Sequence, residues 1–227
     1  TCGAGSTRFN PQILLKNPIE EKGGWNLYAY VSNDPLAHFD PTGKCGAILT
    51  CSSQHRNTLA ARCRELPDAI NELIRDIEVG IADPRTDGDT DARLRTARNH
   101  LRSVLNDKHR RARVWCVGSV FSVLCGNALA MAFTVTQNDV LFCPRFWTQV
   151  RTPNAQRGVL LHELVHLVGP DDGPDNQTYF QHGPPRDVGG VGWQYIADTY
   201  RYWHDCGFCL PGHPALDLRC DGGCRIQ

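Results

Sequence analysis

One apolar stretch, residues 159–168, carries two histidines and a glutamate within a run of leucines and valines, Val-Leu-Leu-His-Glu-Leu-Val-His-Leu-Val. Its length and its apolar residues on every side predict a buried helix. At 3.6 residues per turn, His162 and His166 lie on one face, where two imidazole nitrogens can bind one metal ion. Glu163 is then held beside that ion. The fold must provide partners for these three side chains, because an unpaired buried charge is costly.

The H-E-x-x-H spacing is that of a catalytic zinc site. Zinc with three protein ligands keeps a position for water and lowers the pKa of that water to about 7, while a glutamate accepts the proton. The same spacing also arises by chance in helices whose histidines are ordinary core or surface residues. Burial of the run favours a metal site, so the sequence predicts Zn²⁺, with His162 and His166 as ligands and Glu163 as general base.

Charge and hydropathy exclude two classes of partner. Lys+Arg and Asp+Glu both number 24, so no net field attracts nucleic acid or an anionic membrane surface. No apolar run reaches about 18 residues, so membrane insertion is not expected. The first residues lack the basic and apolar regions of a signal peptide, so export is expected to depend on another route.

The chain has 11 cysteines, which predicts disulfides and an oxidising compartment, with at least one cysteine unpaired. A C-x-x-C and a C-x-x-x-C near the C-terminus also allow a zinc site of four thiolates. The loose second spacing and the scatter of the other seven cysteines favour disulfides. The four residues of the alternative zinc site are Cys206, Cys209, Cys220 and Cys224.

A change in composition near residue 45 divides the chain. Residues 1–44 are rich in Gly, Pro and Asn, and the alternation from Leu27 to Val31 between turn residues predicts a short strand. This segment contains GG-x-NLYAYV-x-N-x-PL-x-x-x-DP-x-G and closely resembles the conserved end of the Rhs-repeat core, the β-rich shell that precedes a variable C-terminal toxin. The resemblance implies an Rhs segment at 1–44 and a toxin domain at 45–227. It also implies three partners: the Rhs shell, a secretion apparatus and an immunity protein.

In the Rhs family a pair of aspartates performs self-cleavage. Asp40 matches the second aspartate, but Asn17 stands where the first is expected. Because aspartyl chemistry needs two carboxylates that share a proton, we predict poor or absent cleavage after Lys44. The alternative is that Asp40 only caps a turn and has no catalytic role.

Between residue 45 and the two histidines the sequence predicts helices and a small sheet. Apolar residues recur with a helical period from Leu59 to Ile77, and Pro67 is expected to break or kink that helix. A basic helix is expected from about residue 92 to 111, with Thr90 or Asp91 as its N-cap. Strands are predicted at 114–123, 130–135 and 139–142.

Two histidines need a third ligand. No Glu follows Glu163 in the sequence, so a later glutamate is excluded. Asp172 completes H-E-x-x-H-x-x-G-x-x-D, which resembles a variant of the metzincin motif, but Met131 lies upstream instead of in a downstream turn. Asp198 lies in an aromatic-rich segment that predicts a helix able to pack on the first. Both aspartates remain candidates on the residues alone.

From about residue 139 to 203 the chain resembles the deuterolysin-like aspzincins, which are zinc endopeptidases. The matching segments are the Cys143-Pro-Arg-Phe-Trp147 box, the H-E-x-x-H helix and Ala197-Asp-Thr-Tyr200. The resemblance implies an α+β fold, with a small antiparallel sheet beside the H-E-x-x-H helix of a zincin-like domain, preceded by the β-rich Rhs tail. It implies these site residues: His162, His166 and Asp198 as zinc ligands and Glu163 as general base.

The aspzincin loop Gly-Thr-x-Asp-x-x-Tyr-Gly, whose aspartate assists catalysis, occurs here only in altered form at residues 169–179. The altered loop offers three aspartates, Asp171, Asp172 and Asp175, and of these we assign Asp175 to that catalytic role. Phe146 stands where some relatives have a catalytic tyrosine, so the oxyanion is expected to be stabilised by zinc or by another donor, His182 or Tyr179.

The function expected from these observations is that of a zinc endopeptidase toxin. It would be delivered into a target cell and would hydrolyse a protein or peptide in an oxidising, extracytoplasmic compartment. Two alternatives stay open. One is a zinc amidase that acts on cell-wall peptides, and the other is a non-catalytic module whose structural zinc has four ligands and no open position.

Overall fold

The computed structural model describes residues 46–117, 125–126, 128–133, 138–172, 187, 191–210 and 213. The Rhs-like segment, with Asn17 and Asp40, lies outside these residues, and so does Lys44, after which poor or absent cleavage is predicted. So do Asp175 and the two suggested oxyanion donors, His182 and Tyr179.

Four short strands form one sheet in the order β1-β2-β4-β3. Pairs β1/β2 and β2/β4 are parallel and only β3/β4 is antiparallel, so the expected antiparallel sheet was wrong. The physical reason is the long helical connection between β1 and β2, which carries the chain back so that the two strands run the same way. The strands are β1 (Ile48–Leu49), β2 (Arg113–Cys116), β3 (Ala130–Phe133) and β4 (Asp139–Phe142).

Helix α1 (Ser53–Ala82) is continuous for 30 residues, with Pro67 inside it. The expected break at Pro67 was therefore wrong. Proline in a helix interior costs about 3 kcal/mol. Burial of one large aliphatic side chain stabilises by about 1.5–3 kcal/mol, and Leu66 and Ile70, on either side of Pro67, are both fully buried. The core contacts on both sides of the proline therefore outweigh its cost.

Helix α2 (Gly88–Ser103) begins earlier than expected, because Asp87 is its N-cap and accepts a hydrogen bond from the Thr90 N–H at 2.8 Å. The prediction of Thr90 or Asp91 as N-cap was wrong. A π-helical turn (Val104–Lys108) and the short α3 (His109–Arg111) continue α2 without a break.

Three further helices complete the described core: α4 (Pro144–Gln149), α5 (Pro153–His166) and α6 (Ala197–Cys206), the last preceded by a 3-10 turn (Trp193–Tyr195). Helix α5 packs against α1, α6 and β3, so the H-E-x-x-H helix is central, as its apolar residues predict. A small sheet among helices agrees with the α+β class at this level.

Two disulfides lie within the described chain, Cys51–Cys116 and Cys125–Cys143. Cys63, Cys206 and Cys209 are disulfide-bonded as well. The prediction of disulfides is confirmed, and a disulfide-bonded Cys206 or Cys209 is not a free thiolate for zinc. Disulfides are typical of proteins in oxidising compartments. Among the described helices, none combines the length and apolar character needed to cross a bilayer.

Candidate metal centre

Helix α5 delivers both histidines to its C-terminal end. It begins after Thr152, whose hydroxyl accepts a hydrogen bond from the Ala155 N–H at 3.3 Å, and Pro153 occupies the first helical position, where its missing N–H has no cost. His166 is the last helical residue, and Gly169 then adopts a φ of +127°. The chain therefore turns back immediately after the second histidine.

The two imidazole rings and Asp172 meet at one point. Nε2 of His162 lies 3.0 Å from Nε2 of His166, and Oδ1 of Asp172 lies 3.1 Å from each of these nitrogens. Ligand atoms at zinc bonds of about 2.0–2.1 Å in a tetrahedral site are about 3.3 Å apart. The three atoms therefore have nearly the spacing of the ligands in a tetrahedral zinc site. Among the described residues, His162, His166 and Asp172 form a group that could hold a metal ion.

The outer nitrogens of both rings face acceptors. Nδ1 of His166 lies 2.9 Å from the carbonyl oxygen of Pro170, and Nδ1 of His162 lies 2.9 Å from Oδ1 of Asp198. A carbonyl or carboxylate oxygen can only accept, so a neutral ring with its proton on Nδ1 would turn its Nε2 lone pair to the centre. Two lone pairs and a carboxylate repel one another unless a cation lies among them. Two nitrogens and one oxygen fit zinc.

The charges around the centre favour a cation. Burial lowers the pKa of His162, but Asp198, Asp172 and Glu163 outweigh it and raise that pKa to about 10. The contacts with both histidines hold the pKa of Asp172 well below its usual range. Burial raises the pKa of Glu163, and the neighbouring histidines oppose that rise. Protons and a metal ion therefore compete for the same cluster.

A single backbone bridge places both aspartates. The N–H of Asp171 donates to the carbonyl of Tyr195 at 2.8 Å, and the N–H of Ala197 donates to the carbonyl of Asp171 at 2.9 Å. These bonds form a parallel bridge between Asp171 and Ile196. Asp172 directly follows Asp171, and Asp198 lies two residues after Ile196. The two carboxylates consequently reach His162 from opposite sides of its ring.

Helices α5 and α6 approach each other closely at Gly158 and Asp205. A Cβ atom on Gly158 would lie 2.4 Å from Oδ1 of Asp205, so a larger residue there would force the Asp205 side chain to move. Asp205 is nearly fully buried, with Nδ1 of His204 at 2.6 Å and Nδ2 of Asn154 at 3.3 Å from its Oδ1. This network lies one helical turn before His162.

A second network holds the start of α6 against α2. The Tyr200 hydroxyl donates to the carbonyl of Gln194 at 2.7 Å and accepts from Nδ1 of His100 at 2.8 Å. Arg93 donates to the side chain of Gln194 at 2.9 Å and pairs with Asp187. No sequence signal pointed to these pairs, since their partners are distant along the chain.

The structure brings His162 and His166 together as predicted, and Glu163 is buried at 5% exposure beside them. It places Asp198 on the outer nitrogen of His162, whereas Asp172, the other candidate, faces both inner nitrogens. Phe146 is fully buried, with its ring 4.5 Å from that of Phe142. The Pro170 carbonyl is a contact that sequence reasoning missed.

No family model, curated protein or solved structure matches this chain. The Rhs and aspzincin resemblances therefore rest on the motifs alone, and both stay predictions.

Proposed function

We propose that residues 45–227 form a zinc-dependent endopeptidase domain, with His162, His166 and Asp172 as ligands and Glu163 as general base. The observation that carries the proposal is the meeting of two imidazole Nε2 atoms and one carboxylate oxygen within 3.0–3.1 Å of one another. The glutamate of the H-E-x-x-H motif lies beside them.

Asp172 takes the place first given to Asp198 because of which nitrogen each carboxylate contacts. Asp198 is completely buried and lies 2.9 Å from Nδ1 of His162. A carboxylate at that position fixes the ring and makes its Nε2 a stronger ligand. Asp198 is accordingly a positioning residue in this proposal, and the Pro170 carbonyl does the same for His166.

Each residue has one part in hydrolysis. Bound zinc supplies a Lewis acid for the scissile carbonyl and lowers the pKa of water. The Glu163 carboxylate takes a proton from the attacking water and returns it to the leaving amine nitrogen. The burial of Glu163, at 5% exposure, keeps bulk water from its carboxylate.

Two observations support a catalytic centre over a structural zinc site. Within the described residues three ligand groups converge, and the carboxylate of Asp172 is 42% exposed, which leaves a side open for water and substrate. The alternative four-cysteine site loses Cys206 and Cys209 to disulfides.

The proposal includes delivery as a toxin. The Rhs-like motif at residues 1–44 supports an Rhs shell and a secretion apparatus as partners, with an immunity protein to protect the producing cell. The disulfides support action in an oxidising, extracytoplasmic compartment of the target.

The test uses the zinc-loaded full chain and denatured casein. General-base catalysis is worth about 10²–10⁴-fold, so Glu163→Gln should lose at least about 100-fold in rate while its zinc content stays unchanged. Glu72→Gln, an exposed residue of α1, is the matched control and should keep full activity. A fully zinc-loaded chain that leaves casein intact but releases fragments from peptidoglycan would replace the endopeptidase with the amidase.

A further inference from the structure

A cleft of about 980 Å³ lies between α2 with its π-helical turn and the turn formed by residues 167–171. His166 lines this cleft, and its Nε2 lies at the metal centre. The volume is at the upper end of the usual range for ligand sites. The cleft therefore adjoins the position where substrate would react.

One wall of the cleft is polar along its whole length. It presents amide, hydroxyl and charged side chains, namely Asn99, Arg102, Ser103, Asn106, Asp107 and Lys108.

Each charged side chain on this wall has an oppositely charged partner. Arg102 pairs with Glu78 at 2.7 Å, and Asp107 pairs with Arg111 at 2.9 Å and with Lys108 at 3.6 Å. None of these side chains therefore offers an unpaired charge that would select an acidic or a basic ligand.

The two amides of the wall are available to a ligand. Asn99 and Asn106 are exposed, and neither side chain makes a hydrogen bond with another described residue. A primary amide both donates and accepts hydrogen bonds. Such groups match peptide backbone and uncharged polar side chains better than they match apolar ones.

The π-helical turn gives this wall its shape. Its widened turn places buried residues five apart, at Val104 and His109, and leaves Asn106 on the exposed side. Nε2 of His109 donates to the carbonyl of Cys63 at 2.9 Å, which anchors the turn to α1. Turns of this type occur often at functional sites.

A second cleft of about 630 Å³ shares Arg102 and Asn106 with the first and continues toward Asp68 and Asn71 on α1. The shared residues make the two clefts neighbours along one face. This arrangement suits an extended chain more than a compact small molecule.

We propose that the cleft binds the polypeptide substrate beside the scissile bond and selects uncharged polar side chains through Asn99 and Asn106. The proposal rests on the peptidase function, because it names the substrate preference of the same site.

The test measures peptide binding without hydrolysis, using the zinc-loaded full chain with Glu163→Gln. Two pools of dye-labelled peptides of equal length are compared by fluorescence anisotropy, one varied with Asn, Gln, Ser and Thr and the other with Ala, Val, Leu and Ile. A neutral hydrogen bond changes affinity by about fivefold, so the polar pool should bind at least about fivefold more tightly. Asn106→Leu and, separately, Asn99→Leu should each remove most of that difference.

The matched control is Gln149→Met, an exposed amide on α4 away from both clefts, and it should leave the preference intact. Equal affinity for both pools, or a polar preference that survives both leucine variants, would overturn the proposal. Tighter binding of glycan fragments of peptidoglycan than of either pool would overturn it too. If the preference holds but the wild-type chain hydrolyses no peptide, the cleft assignment is supported and only the peptidase proposal fails.

Discussion

Two aspartates contact opposite sides of the His162 ring, and they have different roles in the proposed site. Asp172 contacts Nε2 at 3.1 Å with a side chain that is 42% exposed, and Asp198 contacts Nδ1 at 2.9 Å with a side chain that is fully buried. The distances are alike, but only Asp172 also reaches Nε2 of His166. Residue type and distance alone therefore do not identify a ligand. The nitrogen that a carboxylate faces, and whether water can reach it, decide between binding a metal and orienting a ligand.

The largest effect should come from Asp172→Ala. This change removes one of three ligands, so zinc should be lost on dialysis and casein hydrolysis should fall by at least about 1,000-fold, since three ligands define such a site. Metal analysis after dialysis measures the first quantity and a rate assay the second. Asp89→Ala, whose side chain is 82% exposed, is the control and should retain zinc. Full zinc in the Asp172 variant would remove that residue from the site.

A smaller effect is expected for Asp198→Asn. The amide keeps the shape of the side chain but removes the charge that holds His162, and loss of such a partner weakens metal affinity about 10–100-fold. Competition with a chelator gives the affinity. Zinc binding weakened as severely as in Asp172→Ala would instead make Asp198 a ligand, as the aspzincin resemblance implies.

Gly158→Ala tests whether the close approach of α5 and α6 sets the contact between His162 and Asp198. The new methyl group would meet the Asp205 carboxylate at 2.4 Å, so the free energy of unfolding should fall by about 1–3 kcal/mol. Zinc affinity should fall with it, by less than in Asp198→Asn. In Gly88→Ala, the matched control, the added Cβ meets no atom within 4 Å. Denaturant unfolding that gives the same stability for both variants would contradict this account.

The smallest expected effect is on how the free energy of unfolding changes with pH. It involves His100, whose Nδ1 contacts the Tyr200 hydroxyl of α6. Burial lowers the pKa of His100, so the unfolded chain binds more protons than the folded chain as pH falls below about 6.5. The stabilisation by neutral His100 is therefore complete above about pH 6.5 and is lost as pH falls toward the lowered pKa. His100→Gln should flatten this part of the stability profile, measured in chelator to remove the contribution of zinc. Parallel profiles for the two proteins would show that His100 does not titrate in this range.

Local patterns predicted the H-E-x-x-H helix, two of the strands and the two histidines of the site. The apolar residues around His162 and His166 predict a buried helix without knowledge of the fold, and the strands at residues 130 and 139 were located by alternation and turns. The antiparallel direction expected for the strands was wrong, because strand direction depends on how far the helices between β1 and β2 carry the chain.

Long-range contacts explain what the sequence left open. The choice between Asp172 and Asp198 depends on the bridge between Asp171 and Ile196, which no local motif encodes. The continuity of α1 through Pro67 depends on core residues contributed by other elements. In both cases tertiary contacts override a local preference, and a single sequence contains no direct record of them.

A crystal structure of the zinc-loaded chain, with the metal located by its anomalous scattering, tests the central claim most directly. We predict zinc bonded at about 2.0–2.1 Å to Nε2 of His162, Nε2 of His166 and a carboxylate oxygen of Asp172, with Asp198 still on Nδ1 of His162. Zinc bonded to Asp198 in place of Asp172, or zinc bound elsewhere with these two histidines unligated, would contradict the account.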